Sequence, residues 1–322
     1  MTEKMTIPTV SVIVPNFNHA EYLRERLDSI LSQTYKNFEI IILDDCSTDN
    51  SREIIESYRT NPKISKIIYN EKNSGKPFLQ WEKGINLASG DIIWIAENDD
   101  SCSSDLLEKL IEPLCEDPDC VISYCRSILI DGFGNKIGYH TLQEEDHSDF
   151  KMNGKNFVSK RMLYGNCILN ASAVLFRKIA FFGISREYRD YYGLGDIIFW
   201  SEIAARGNVC YCAKEMNYFR QHPLSQTASL RKKDNRIQSI YESRKRWDYF
   251  IRRGIISKSR FRMREVGILC YSLQLSESEY ETKCIKSEFE WKLLWPLVVV
   301  KRLKDRIFYN RKKYCKDEIV RY

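Results

Sequence analysis

Asp91-Ile-Ile-Trp-Ile-Ala-Glu-Asn-Asp-Asp100 decides the fold. Ile92 to Ala96 is an almost unbroken apolar run, entered from Gly90 and left through a polar cluster. A short run without alternation reads as a strand buried on both faces, as in a parallel sheet. Three carboxylates, Glu97, Asp99 and Asp100, follow at its carboxyl end. Open α/β sheets bind ligands beyond the carboxyl ends of their strands. Clustered carboxylates repel one another unless a cation neutralises them. An oxygen-preferring Mn²⁺ or Mg²⁺ suits that task and usually holds substrate phosphates too. The competing reading is a solvated acidic turn in which Asp99 or Asp100 caps the next helix, so the surroundings must decide.

Upstream, Thr9–Val14 is a first buried strand that runs into Pro15-Asn-Phe-Asn18, with Asn18 placed to cap a helix carrying Leu23, Leu27, Ile30 and Leu31 on one face. Phe38–Leu43 is a second strand, leading into Asp44-Asp-Cys-Ser-Thr-Asp49. A helix to about Tyr58 and a strand near Lys66–Asn70 follow. Asn73–Lys76 is a polar turn, and Pro77 suits the first position of a helix with Phe78, Trp81, Ile85 and Ala88 on one stripe. Strands alternating with helices predict a mostly parallel sheet covered on both faces. Downstream, the pattern predicts a helix from Asp105, a strand Val121–Cys125 and a hairpin turn at Asp131–Asn135. Gly138–Asn166 has weak periodicity and suits a mobile, acceptor-facing region. A strand-like Ala171–Phe176, a helix Asp196–Arg206 closed by Gly207 and two short strands, Val209–Cys212 and Met216–Arg220, complete the expectation.

Composition bounds the reading. At 322 residues, 43% apolar, the chain is globular and long enough for one large domain plus an appendage. Its eleven cysteines include no CxxC pair, so neither a zinc site nor a disulfide framework is expected, and Cys46, Cys102 and Cys115 read as small apolar residues in a reducing cytosol. The start shows no signal-peptide pattern, and the longest apolar run, Leu293–Val300, is far shorter than the ~18 residues of a membrane span. Charge is uneven: residues 228–322 carry 25 Lys and Arg against 12 Asp and Glu, while residues 1–227 carry 25 against 32. An acidic body with a basic tail predicts two parts, 1–227 and a helical basic region, 228–322.

Four polar clusters fall at or near strand ends: Pro15–Asn18, Asp44–Asp49, Asn73–Lys76 and Glu97–Asp100. In a parallel sheet they can line one crevice. A ring (Phe17), a carboxylate pair (Asp44, Asp45), a cation (Lys76) and a metal-binding cluster would suit a nucleoside diphosphate. Neither GxGxxG nor GxxxxGK[ST] occurs, so a dinucleotide or P-loop site is not supported. Each residue also has a plain structural reading. Asp44 can anchor its turn, Lys76 can be a solvated helix-start lysine, Asp196 can cap its helix and His222 can be a turn residue. Trp81 and Trp200 read as core.

These segments together resemble family 2 glycosyltransferases of the GT-A fold. The likeness rests on Val10–Asn18, Ser29–Tyr35, Asp44–Asp49, Gln80–Ala88, Trp94–Asp100, Asn170–Ala173, Gly195-Asp196 and Asn217–His222. It spans roughly residues 7–227, with 7–126 as nucleotide-sugar half and 127–227 as acceptor side. The resemblance implies an α/β, Rossmann-like fold and transfer of a sugar, with inversion, from a nucleotide-diphosphate sugar, uridine favoured, to an acceptor hydroxyl. Position by position it implies that Asp45 binds the base and Phe17 stacks on it, with Pro15, Asn18 and Lys76 beside the donor. Asp99 would meet the ribose or metal, Asp100 the metal, His222 the metal or diphosphate, and Asp196 would be the general base. Glu97 stands where the family usually has Asp, and Gly195 where it usually has Glu. The Gly195 departure leaves a rival reading, a non-catalytic nucleotide-sugar or glycan-binding module.

In the tail, Trp291-Lys-Leu-Leu-Trp-Pro-Leu-Val-Val-Val-Lys-Arg302 combines tryptophans, an apolar run and cations. That chemistry suits either an anionic membrane surface or packing on the catalytic domain. No nucleic-acid recognition motif accompanies the basic surplus. By analogy the acceptor would be a glycan or lipid-linked glycan. The expected location is cytoplasmic, peripheral at the inner face of the plasma membrane.

Overall fold

The computed structural model describes residues 8–139, 147–163, 166–223, 225, 236–255 and 257, with isolated positions between 269 and 286. The chain divides into two compact units, Met1–Ala228 and Ser229–Tyr322. In the first, strands β1 (Val10–Asn16), β2 (Phe38–Asp44), β3 (Ile64–Tyr69) and β4 (Ile92–Ile95) alternate with helices α1 (Ala20–Leu31), α2 (Ser51–Ser57) and α3 (Pro77–Leu87). Then come β5 (Ser101–Cys102), α4 (Leu106–Glu116), β6 (Cys120–Ile130), β7 (Lys136–Tyr139) and β8 (Phe150–Asn153). Short helices α5 (Gly154–Phe157) and α6 (Lys178–Phe181) flank β9 (Val174–Arg177), and α7 (Gly195–Ala204) precedes β10 (Asn208–Arg220).

The ten strands form one sheet in the order β3-β2-β1-β4-β9-β6-β10-β5, with β7 on β6 and β8 on β10. β3, β2, β1 and β4 are parallel, as continuous apolar runs joined by helices require. β9 enters antiparallel to both β4 and β6, and β6 pairs parallel with β10, so the second half is mixed. Val10, Val12 and Val14 share a core with Ile40, Ile42 and Leu23, Leu27 and Ile30 of α1. α3 packs on β1 and β2. It lies so close that a Cβ at Gly84 would stand 2.3 Å from Ile13 Cγ2, so only glycine fits there.

Four expectations change. Asn18 does not cap α1: it adopts φ +54 and its Oδ1 accepts from Thr48 N at 2.7 Å. The cap position belongs to His19, and Ala20 N donates to Asp49 Oδ2 at 2.9 Å, so the neighbouring loop satisfies the helix start. The strand expected at Val121–Cys125 continues to Ile130. The two strands expected at 209–220 are one strand, with register shifts between Cys212 and Asn217 that absorb its polar middle. Ala171–Ala173 is a 3-10 turn rather than strand, because Asn170 accepts from Ser172 N and holds it tight. The hairpin at 131–135 joins β6 to β7 as expected.

In the second unit the longest described element is a helix, Arg236–Arg252, which buries Trp247, Tyr249 and Phe250. Among the described residues no helix is long and apolar enough to cross a membrane. Trp291–Arg302 lies outside the described residues.

Candidate active site

β1, β2 and β4 end side by side, and their following loops are stitched together by short polar side chains. Asn16, the last residue of β1, donates through Nδ2 to Asp44 Oδ1 at 2.9 Å and to the Ser47 hydroxyl at 3.1 Å. Its Oδ1 accepts from Asn98 Nδ2 at 2.6 Å. One asparagine thus joins all three strand ends.

The loop after β2 is richly supplied with donors. Asp44, fully buried, accepts from Asn16, Ser47 N and Arg52 Nε. Asp45 accepts from Asn70 Nδ2 (2.6 Å), Ser74 N (3.0 Å), Ser74 Oγ (2.7 Å) and Gln80 Nε2 (2.8 Å). Four donors match the roughly four lone-pair sites of a carboxylate, so Asp45 is fully engaged within the protein. Pro15 is buried inside β1, whereas Phe17 just beyond it is 43% exposed. Asn18 N donates to Ser47 Oγ at 3.0 Å. Lys76 is exposed, and its Nζ donates to the Arg189 carbonyl at 3.0 Å, which ties it to the turn before α7.

The loop after β4 is different. Glu97 accepts from Trp81 Nε1 at 2.8 Å, and burial, with Asp99 and Asp100 repelling, pushes its carboxyl up to about 8. Asp100 is completely buried, and it accepts from Asn170 Nδ2 (2.8 Å), Ser172 Oγ (2.6 Å) and Arg220 N (3.0 Å). Burial and the Asp99 charge still raise it above the usual carboxylate range. Asp99 behaves oppositely: burial would raise it, but the His222 hydrogen bond and nearby His19 outweigh that and lower it. Arg26, buried and stacked 4.9 Å over the Trp94 ring, is an internal counter-charge acting on both Glu97 and Asp100. Arg220 closes the loop from the other side, donating from Nε to the Asp99 carbonyl at 2.8 Å.

Of the residues expected to ligate metal, Asp99 and His222 come together, with Nε2 and Oδ2 3.0 Å apart. Asp100 turns away to its three donors. His19 takes the third place: ligand atoms of His19, Asp99 and His222 all lie within 4.8 Å of one another. Adjacent ligands of an ion with bonds of about 2.1 Å stand ~3 Å apart, so the Asp99–His222 pair fits such an ion. His222 is buried, and among the described residues its Nδ1 has no hydrogen-bond partner. Two imidazoles and a carboxylate are a donor set able to hold a divalent metal.

Every residue of α7 from Gly195 to Ala204 is buried except Asp196, which is half-buried in its first turn. The helix is therefore enclosed almost all round, with Trp200 in the core as expected. Asp196 Oδ1 accepts from Ile197 N at 2.8 Å, and Oδ2 accepts from Asn166 Nδ2. A Cβ at Gly195 would stand 2.4 Å from the Tyr188 carbonyl and 2.6 Å from Phe78 Cε2, which explains why no glutamate stands there. Glu82 of α3 holds the preceding turn: it accepts from Arg189 Nε at 2.9 Å, from Arg186 and from the Tyr188 hydroxyl. Gln80, Trp81 and Glu82 thus reach the Asp45 loop, the Glu97 loop and the Arg186–Arg189 turn in succession.

Sequence reasoning missed His19, Arg26 and Glu82. A lone histidine at a helix start and charged residues on amphipathic helices read as solvated, and nothing local marks them as buried or convergent.

Comparison with known proteins gives a consistent picture. The model of Glycosyl transferase family 2 matches residues 11–178. An uncharacterized glycosyltransferase of Rickettsia typhi is 33% identical over 195 residues, 60% of this chain and 59% of that protein. The chain therefore spans less than two thirds of that relative. Staphylococcus aureus TarS residues 1–349, solved with UDP-GlcNAc, aligns with a TM-score of 0.58 at 18% identity, covering 89% of this chain and 72% of that one. TarS is named a poly(ribitol-phosphate) beta-N-acetylglucosaminyltransferase. The mannosyltransferase PcManGT of Pyrobaculum calidifontis, solved with GDP-Man and Mn²⁺, aligns with a TM-score of 0.51 at 16% identity, covering 88% and 69%.

Proposed function

The chain belongs to glycosyltransferase family 2 and has its GT-A fold, and from that premise we propose that it is an inverting transferase. It would move a sugar from a nucleoside-diphosphate sugar, a UDP-sugar first, to a glycan or lipid-linked glycan hydroxyl in cell-surface polysaccharide assembly. The observation that carries this reading is the joining of the β1, β2 and β4 strand ends through Asn16. Asp45 and Asp99 lie on the sheet side, and a carboxylate, Asp196, is the one incompletely buried residue of an otherwise enclosed helix.

In this reading Asp45 receives the base, exchanging one of its internal donors for it, and the exposed ring of Phe17 stacks on the base. Pro15 and Asn18 shape that wall. A divalent cation, Mn²⁺ or Mg²⁺, held through Asp99 and His222, supplies positive charge against the departing diphosphate when bound. Asp100, sealed by Asn170, Ser172 and Arg220, keeps the loop that presents Asp99. Lys76 fixes the turn before α7 through the Arg189 carbonyl. Asp196 takes the acceptor hydroxyl proton as sugar transfer proceeds. Support for a UDP-sugar and for Mn²⁺ comes from what the structural neighbours were solved with. A cytoplasmic site at the inner membrane face is proposed from the basic tail alone.

The test is release of nucleoside diphosphate. UDP-GlcNAc, UDP-glucose and GDP-mannose are each incubated with the full chain and Mn²⁺, with and without a panel of glycan acceptors. Release that depends on both metal and acceptor is expected for one donor. Binding of a donor without release under any acceptor would favour the binding-module reading.

A further inference from the structure

We infer that His19 is a protein ligand of the divalent ion, and that a relay of amide side chains running from Asp44 fixes its tautomer. The ion's protein ligands are then two imidazoles and one carboxylate, with Asp100 excluded. This rests on the metal-dependent reading above.

The relay is set by hydrogen-bond polarity. A carboxylate accepts, so the Asn16 group 2.9 Å from Asp44 Oδ1 must be its NH₂. Asn16 then presents its oxygen on the other side, where it accepts from Asn98 Nδ2 at 2.6 Å. Asn98 is oriented in turn, and its Oδ1 faces His19 Nδ1 at 3.0 Å. An amide oxygen can only accept, so Nδ1 carries the proton and Nε2 is left with a bare lone pair. That is the tautomer a metal requires, and an orienting bond on the second ring nitrogen is usual for ligating histidines. Asn16 and Asn98 are 2% and 4% exposed, so water does not compete for these bonds.

The geometry agrees. The His19, Asp99 and His222 donors fit within 4.8 Å, and the two rings meet edge to face at 5.2 Å between centroids. Asp100, in contrast, spends its oxygens on Asn170, Ser172 and Arg220 N. Imidazole suits transition metals better than Mg²⁺, which favours carboxylate and water. The set is therefore a poor match for Mg²⁺.

Mn²⁺ with UDP is titrated into the full chain, and bound ion is followed by electron paramagnetic resonance. Electron spin-echo modulation then counts coordinated imidazole nitrogens. Two nitrogens are expected in the native protein and one in His19→Ala. Asn98→Ala, which keeps every ligand, should weaken Mn²⁺ by about 10–100-fold. Thermal melts establish that each variant is folded, and the native nitrogen count needs no variant. One nitrogen in the native protein, or unchanged Mn²⁺ affinity in folded His19→Ala, overturns the inference. Two nitrogens without turnover of any nucleotide sugar would sink the transferase reading and leave the ligand set standing.

Discussion

Two acidic loops end strands on either side of β1, and the protein treats them in opposite ways. After β2, Asp44 and Asp45 are met by donors from Asn16, Ser47, Arg52, Asn70, Ser74 and Gln80. After β4, burial and mutual repulsion push Glu97 and Asp100 above the ordinary carboxylate range despite Arg26 nearby. A loop whose carboxylates are met by internal donors is held in shape before any ligand arrives. A loop whose carboxyls are held above their ordinary range is one that would give up protons when a cation binds beside it.

The comparison is broken most sharply at Asp196, a half-buried carboxylate on α7 outside both loops. Asp196→Asn keeps the size of the side chain and removes its basicity, so acceptor-dependent turnover should fall ~10²–10⁴-fold. Donor binding, followed by thermal shift with UDP and Mn²⁺, should persist. Near-native turnover would move the base elsewhere.

A second pair of variants sharpens it in stability. Asp44→Ala strands Asn16 Nδ2 and Ser47 N among buried neighbours, which should cost about 1–3 kcal/mol in urea unfolding. Asp99→Asn removes a charge that His222 and His19 favour but that repels Glu97 and Asp100, so in the absence of metal its urea midpoint should fall less than that of Asp44→Ala. Equal losses from both substitutions would erase the distinction between the two loops.

The smallest effect lies at Glu39, a saturated carboxylate away from the crevice. Partial burial alone would raise it, but hydrogen bonds from Ser11, Ser65 and Ser89 outweigh burial and hold it at about 2. Because its folded value lies below the unfolded one, its stabilisation is present above about pH 4–5 and fades as pH falls towards 2. The difference in melting temperature between native protein and Glu39→Gln should be constant near neutrality and shrink through that window. A difference independent of pH would refute the assignment.

Much of the first half was legible in the sequence because its elements are local. β1, β2 and β4 are unbroken apolar runs, and their loops begin where polarity returns. The second half hides its logic in pairing. β10 carries Ala213-Lys-Glu215 through its middle, and only the bulged register against β6 shows one strand rather than two. Asp99, His222 and Asp196 could be named by resemblance, yet His19 could not. It becomes a candidate ligand only when α1 and the β4 loop bring it to Asp99 and Asn98. Asn18 looked like a cap because short polar residues before apolar helices usually are. Its left-handed backbone, set by the Thr48 contact, gives it to the loop instead.

Gln80, Trp81 and Glu82 occupy one turn of a helix whose Gly84 lies hard against Ile13 of the central strand. Three consecutive side chains from one rigid turn therefore serve as a shared datum for the Asp45 loop, the Glu97 loop and the turn before Asp196. When that turn shifts in thermal motion, all three places are carried in the same direction. Their mutual spacing is then steadier than the position of any one of them, and it is spacing that a reaction between two bound molecules senses.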